Sequence, residues 1–246
     1  MKTTVIYEPR GRAREYCELA ANLYRGCGHG CKYCYAPDAT RADREKFYRE
    51  PQPRKSVIEK LRKDAFTISG IEKRPILLCF TCDPYQPINE HYILTRQAIR
   101  TLKENKLKVV ILTKGGKRAE QDFDLLDSGD YVGATLTFIN NSDSLEWEPG
   151  AALPAERFAM LEKAKSMGIS TWVSLEPVID PEQSLEIIRR THHFVDLFKV
   201  GTLNHHPRAR EIDWRKFGRQ AVELLDELGC SYYIKNDLRR HLTKTA

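Results

Sequence analysis

The sequence predicts an α/β fold, an incomplete (β/α)6-type TIM barrel, and three observations carry that expectation. Strand-length and helical patterns alternate along the chain. The strand segments are near-continuous apolar runs, the mark of a parallel sheet covered by helices on both faces. The length of 246 residues is one that α/β barrels commonly fill as one domain.

The elements follow in order. A short strand over 19–24 leads into a loop rich in glycine and cysteine. Apolar, β-branched runs follow at 75–82, 108–113, 131–138, 170–175, 195–200 and 231–234, each of strand length. Helical patterns lie between them at 55–64, 92–104, 119–126, 154–167, 181–190 and 214–228. Pro154 and Pro181 stand at helix starts, where a fixed φ and a missing N–H do no harm. Gly168 and Gly229 stand just past helix ends, at the C-cap. Residues 1–18 and 38–54 read as polar, irregular decorations, the latter rich in Arg. No linker, repeat or low-complexity segment interrupts the chain, so one domain over 1–246 is expected, with its core at about 19–235.

Composition sets further bounds. A hydrophobic content of 41% supports a sizeable core. No apolar run approaches the length of a membrane span, so no membrane partner is expected. Met1, Lys2, Thr3 and Thr4 lead into no hydrophobic stretch, which argues against a signal peptide. With seven Cys, an odd number, disulfides are disfavoured and a reducing, cytoplasmic location is expected. The net charge of +6 permits a nucleic-acid partner without demanding one. The basic runs, 41–54, 114–118 and Arg239-Arg240, are equally readable as solvated faces.

The most informative segment is Arg25-Gly26-Cys27-Gly28-His29-Gly30-Cys31-Lys32-Tyr33-Cys34-Tyr35-Ala36. Cys27, Cys31 and Cys34 are spaced Cys-x3-Cys-x2-Cys, and the interleaved glycines let so tight a loop turn. Three thiolates on one loop suit an iron–sulfur cluster with one metal position left open. A structural zinc site normally takes four ligands; His29 is the available fourth, in a loop too short for easy tetrahedral geometry.

This loop resembles the cluster-binding signature of the radical S-adenosylmethionine (SAM) superfamily. Within it the chain is similar to the branch of spore photoproduct lyase and DNA-repair photolyase-like proteins. Two further pieces support the resemblance: Thr81-Cys82-Asp83-Pro84-Tyr85-Gln86-Pro87 and Ser174-Leu175-Glu176-Pro177. It implies a partial barrel of the radical SAM kind. It also implies a [4Fe–4S] cluster held by Cys27, Cys31 and Cys34, which cleaves SAM to a 5′-deoxyadenosyl radical that abstracts hydrogen from substrate. The implied substrate is a nucleic-acid base or nucleotide, and the implied partner an electron donor such as flavodoxin or ferredoxin.

Functional residues of parallel α/β folds collect at the carboxyl ends of strands. The resemblance places Tyr33 near the adenine of SAM, Thr81 or Asp83 at its amino group, and Ser174 and Glu176 at its ribose or methionyl part. Lys114, after the third strand, is a point charge for the SAM carboxylate or a substrate phosphate. Thr135 and Thr137 share a face by period two, and Thr137 is the candidate for SAM hydroxyls. Asp83 is also readable as a turn cap, Lys114 as a loop lysine, and the threonines as strand filling. His205 and His206 are candidates for substrate contact, and Lys235 and Asp237 for closing the mouth.

Spore photoproduct lyases carry Cys-Thr-Ser-Asp at the second strand end, where the Cys donates hydrogen to the product radical. This chain has Phe80-Thr81-Cys82-Asp83, so the thiol is displaced by two residues. Period two puts positions 80 and 82 on one face of this strand and Cys79 on the other. Cys82 is then the candidate donor, also readable as a buried inert thiol; the resemblance makes Tyr35 the candidate relay, also readable as aromatic packing that shields the cluster; Cys17, Cys79 and Cys230 read as inert. Two alternatives stand beside this reading: SAM chemistry on a peptide or small molecule, and a non-catalytic metal-binding nucleic-acid adaptor. Iron and sulfide in anaerobically purified protein distinguish the enzyme from a zinc adaptor.

Overall fold

A computed structural model describes residues 4–243. Ten strands occur among them: β1 Ile6–Tyr7, β2 Leu19–Ala21, β3 Tyr24–Arg25, β4 Gln52–Pro53, β5 Ile76–Leu78, β6 Val109–Thr113, β7 Tyr131–Thr135, β8 Ser170–Leu175, β9 Leu197–Val200 and β10 Tyr232–Ile234. Eight form one sheet in the order β1-β2-β5-β6-β7-β8-β9-β10. From β2 to β10 every pairing is parallel, as the apolar runs predict. Among the described residues no ladder joins β10 to β1, so the array is an open α/β sheet consistent with an incomplete barrel.

The core follows from the strand composition. Ile76, Leu77 and Leu78 of β5 are buried on both faces. One face packs under the long helices Val57–Ile68, Leu94–Glu104, Pro154–Ser166, Pro181–Thr191 and Trp214–Glu227. The other gathers Ala20, Leu77, Val110 and Trp172, with Tyr16, Phe80 and Leu112 against them. Trp172 plugs this second face and donates its indole N–H to Ile111 O at 3.0 Å. Gly133 makes room for it, since a Cβ there would collide with the indole. Pro154 and Pro181 start their helices, and Gly168 and Gly229 adopt φ of +78° and +64°.

The structure corrects several expectations. The run 75–82 leaves the sheet after Leu78, because Cys79 takes φ +65°. The buried Asn22 then stands in for the missing ladder: its Oδ1 accepts Phe80 N at 2.8 Å and Thr81 N at 2.9 Å. The period-two argument for residues 79–82 therefore fails, because those residues belong to a turn. The run 19–24 divides at the same Asn22 into β2 and β3. The helix at 92–104 divides at Ile93, whose φ is +52°. The segment 119–126 is a 3-10 run, Gly116–Leu125. The described parts of 1–18 and 38–54 are not irregular. Ile6–Tyr7 adds an antiparallel edge to β2, Gly11–Glu15 is a 3-10 turn, Arg44–Arg49 is a helix, and β4 pairs with β3. The first three residues of 1–18 lie outside the described residues. No helix among those described is long and apolar enough to cross a membrane.

Candidate active site

The cysteine loop leaves β3 and is fastened from four directions. Cys27 N donates to Phe47 O at 2.9 Å, and Lys32 N to Trp147 O at 2.9 Å. The fully buried Gln86 accepts from Gly28 N at 2.8 Å and donates to Gly26 O at 3.2 Å. Tyr48 OH donates to Cys31 O at 3.1 Å. Gly26 has φ +80°, and a Cβ there would sit 2.6 Å from Phe47 O, so both conformation and space demand glycine.

Cys27, Cys31 and Cys34 all line one cavity of about 510 Å3, within the range of sites that enclose small ligands. All three are free thiols, the first two buried. Burial pushes the Cys27 thiol up and the Cys31 thiol up to about 12, so metal binding here would release protons. Among the described residues no three His, Cys, Asp or Glu side chains are drawn together around a single ion. Thiols that ligate separate corner irons of a cubane need not converge on one point. His29 does not serve as a fourth ligand: its Nδ1 lies 3.4 Å from Asp83 Oδ2 and its Nε2 3.1 Å from Arg118 Nη2. Burial lowers the His29 pKa against the pull of Asp83. The residues present fit an iron–sulfur cluster better than a four-ligand zinc site.

The strand ends supply the rest of the wall. Thr81, Asp83, Lys114, Thr135 and Glu176 line the same cavity. Asp83 is buried; its Oδ1 accepts from Tyr85 N at 2.8 Å and Thr113 Oγ1 at 2.6 Å, and its Oδ2 from Lys114 N at 2.7 Å. Burial raises its pKa, but His29, Lys114 and Thr113 outweigh that and hold it well below the carboxylate range. Lys114 Nζ stands 5.9 Å from the centre of the Tyr33 ring. Burial works against its charge, but Cys31, Glu148 and Asp83 raise its pKa overall. Thr137 is fully buried and bonds Glu148 Oε1 at 3.3 Å; Ser174 is fully buried beside the Tyr16 phenol. Neither is among the residues lining the cavity.

Glu176 has partners on both oxygens. Oε2 accepts from Tyr16 OH at 2.6 Å and from Lys235 Nζ, and Oε1 from Asn204 Nδ2 at 3.1 Å. The side chain folds over Gly201, where a Cβ would approach Glu176 Cδ to 2.8 Å. Lys235 is buried and its ammonium lies 3.1 Å from the Tyr16 ring centre. Desolvation brings its pKa down to about 8 despite the Glu176 charge. Asp237 pairs with Arg12 at 2.9 Å. His205 lines the cavity, whereas the His206 ring meets Trp147 edge-on at 5.1 Å, so the two do not form a metal pair.

At the second strand end Cys79, Phe80 and Cys82 all face the cavity. Cys82 Sγ lies 3.7 Å from Tyr24 O and beside Cys79, whose thiol and the burial together push the Cys82 pKa up. Tyr35 donates to Phe80 O at 3.3 Å and is 40% exposed, the open position among these residues. Tyr16 meets Phe80 edge-on at 5.6 Å.

Sequence reasoning missed Tyr16, Asn22, Asn204 and the pair Glu148–Arg157. Glu148 accepts a hydrogen bond from Tyr33 OH and pairs with Arg157 at 2.6 Å. Burial raises the Glu148 pKa, but Arg157 and Lys114 outweigh it and keep the carboxylate ionised. Arg157 carried a signal: it shares a helical face with the buried Met160, Leu161 and Ala164, and an Arg on an apolar stripe needs a partner.

A family model described as the radical SAM superfamily matches residues 21–195. An uncharacterized protein of Methanocaldococcus jannaschii is 26% identical over 186 residues, covering 74% of this chain and 69% of that protein. An uncharacterized Mycobacterium tuberculosis protein is 26% identical over 167 residues, 64% of this chain, and the chain spans only 48% of its length. Among solved structures, a spore photoproduct lyase mutant with bound AdoMet and dinucleoside spore photoproduct superposes with TM-score 0.69 at 13% identity, over 92% of this chain and 78% of that one. Streptococcus suis SuiB bound to S-adenosylmethionine gives TM-score 0.65 at 13% identity, over 92% of this chain and 53% of that one. At these identities the likeness is one of fold.

Proposed function

The chain belongs to the radical SAM superfamily, whose model matches most of it, and on that premise we propose that it modifies a nucleic-acid base or nucleotide by hydrogen abstraction. Membership makes it an enzyme that works with a [4Fe–4S] cluster and SAM. One observation carries the assignment of the site. The three loop thiols open into the same cavity as the strand-end groups Thr81, Lys114 and Glu176. When bound, cluster and SAM supply a 5′-deoxyadenosyl radical able to take hydrogen from an unactivated carbon.

Cys27, Cys31 and Cys34 would hold the cluster. Tyr33, fixed from behind by Glu148, would present its ring to the adenosyl end, and Lys114 would offer a cation to a carboxylate or phosphate. Thr81 would meet the amino end, with Asp83 beside it, whose oxygens already have protein partners. The Glu176–Asn204–Tyr16 set frames another part of the wall, with Ser174 buried behind Tyr16, while Thr137 backs Tyr33 through Glu148. The Cys82 S–H in the cavity would be the hydrogen source for a product radical, leaving a thiyl radical, and the Tyr35 hydroxyl would relay a hydrogen atom back to it. Arg10, in the cavity lining, suits a phosphate backbone, Arg12 being paired with Asp237, and a duplex target would need its base extruded. An electron donor of the flavodoxin or ferredoxin class would complete the system.

The test is anaerobic incubation with SAM, dithionite and candidate nucleic acids, followed by mass spectrometry of the nucleosides. A nucleoside of altered mass together with 5′-deoxyadenosine supports the reading. Steady 5′-deoxyadenosine release with every nucleoside unchanged overturns the substrate class.

A further inference from the structure

A second, smaller cavity of about 210 Å3 lies beside β3, and its lining includes Tyr7, Asn22, Arg25, Arg54, Lys55 and Lys60. It is below the roughly 300–1,000 Å3 that encloses a drug-sized ligand, so it suits one small charged group or a short stretch of a longer chain. Four cations line it and no carboxylate does. Arg54 Nε donates to Tyr24 O at 3.1 Å, and among the described residues none of the four cations takes part in an ion pair. Asp64, the buried carboxylate of the adjoining helix, holds the backbone of Thr4 and Val5, which also line this cavity. The carboxylate accepts the backbone N–H groups of Thr4, Val5 and Ile6 at 2.8, 2.5 and 3.0 Å. Glu59, on the same helix, is exposed and outside the lining.

The helix Val57–Ile68 begins at this cavity, and its N-cap Ser56 makes no side-chain cap bond. The first N–H, that of Val57, is taken by Arg54 O at 3.2 Å, and the helix start adds positive potential there. Four cations that form no ion pair among the described residues, gathered around a concave wall at a helix start, suit a tetrahedral anion.

The cavity is wired to the reaction site through Asn22. Its Nδ2 donates to Tyr7 OH at 2.7 Å, while its Oδ1 holds Phe80 N and Thr81 N. Arg25 lies two residues before Cys27. We propose that this cavity binds a phosphoryl anion, free or carried on a nucleic-acid backbone, and that its occupancy steadies both the cysteine loop and the turn bearing Cys82. The inference stands on the cavity and does not depend on which substrate the reaction cavity takes.

The test uses full-length protein purified anaerobically. Melting temperature is measured with pyrophosphate, and with chloride at matched ionic strength, for the wild type and for the double variant Lys55→Ala/Lys60→Ala. Both residues are exposed, so the variant should fold. Arg219→Ala, on a helix at the opposite edge of the sheet, is the control. Pyrophosphate should raise the melting temperature of the wild type and the control above the chloride value, and the double variant should lose that rise. Single-stranded oligonucleotide binding, measured against salt, identifies the source of the anion. A slope reduced by about one to two in the double variant points to backbone phosphate; an unchanged slope points to a free phosphoryl compound. The absence of any pyrophosphate effect on the wild type, or an equal effect on wild type and double variant, overturns the proposal.

Discussion

Glu148 and Arg157 meet at 2.6 Å with both side chains sealed from solvent, 0% and 1% exposed. Because Glu148 also receives the Tyr33 hydroxyl, an ion pair in the core sets the position of a cavity-lining aromatic ring.

Arg157→Leu should therefore destabilise the protein strongly, since removing one partner of a buried pair costs about 3–5 kcal/mol. The double variant Glu148→Gln/Arg157→Leu should recover part of that loss. Urea denaturation of the four proteins in a cycle measures it; a single-variant loss below about 1 kcal/mol would show that the pair is not structural.

Cys31→Ala should lose iron and sulfide and, with them, SAM cleavage, because a thiolate ligand is a direct bond to the cluster. Iron content after anaerobic reconstitution is the readout. A variant that keeps full iron and activity would remove Cys31 from the ligand set.

Asp83→Asn should lower stability most at neutral pH. The folded-state pKa of Asp83 is depressed, so its contribution is complete above the unfolded value, near 4, and declines as pH falls towards the folded one. The stability gap between wild type and variant should narrow by on the order of 1 kcal/mol between pH 6 and pH 3. A gap that stays constant or widens on acidification would contradict the sign.

Glu176→Gln leaves Lys235 buried without its counter-charge. The expected loss is about 2–4 kcal/mol, and adding Lys235→Met should restore part of it. SAM affinity, measured beside stability, separates the two roles of Glu176. A site role weakens binding roughly tenfold or more, by analogy with a lost charged hydrogen bond.

Cys82→Ala should preserve SAM cleavage while altering the product or the ratio of 5′-deoxyadenosine to product. Cys230→Ala is the proper control, because Cys79 shares the cavity with Cys82. Identical product and ratio in Cys82→Ala would exclude hydrogen donation by this thiol.

Much of this architecture is written locally. The Cys-x3-Cys-x2-Cys spacing, the apolar runs of β5 to β9, and the Pro and Gly punctuation of the helices depend on neighbours within a few residues. Short-range sterics and burial periodicity act on such neighbours directly, so the parallel sheet and the cysteine loop are legible in the chain. The tertiary structure decided the rest. The turn at Cys79 depends on Asn22, 58 residues away from Phe80; the edge strand β1 depends on pairing with β2. Tyr33 and Glu148 are 115 residues apart, and Glu176 and Tyr16 are 160 apart. No local pattern encodes which polar groups will be buried together. Their partners are chosen by how the strands and helices pack, because a buried charge or hydroxyl must find whatever opposite group the closed fold brings within reach.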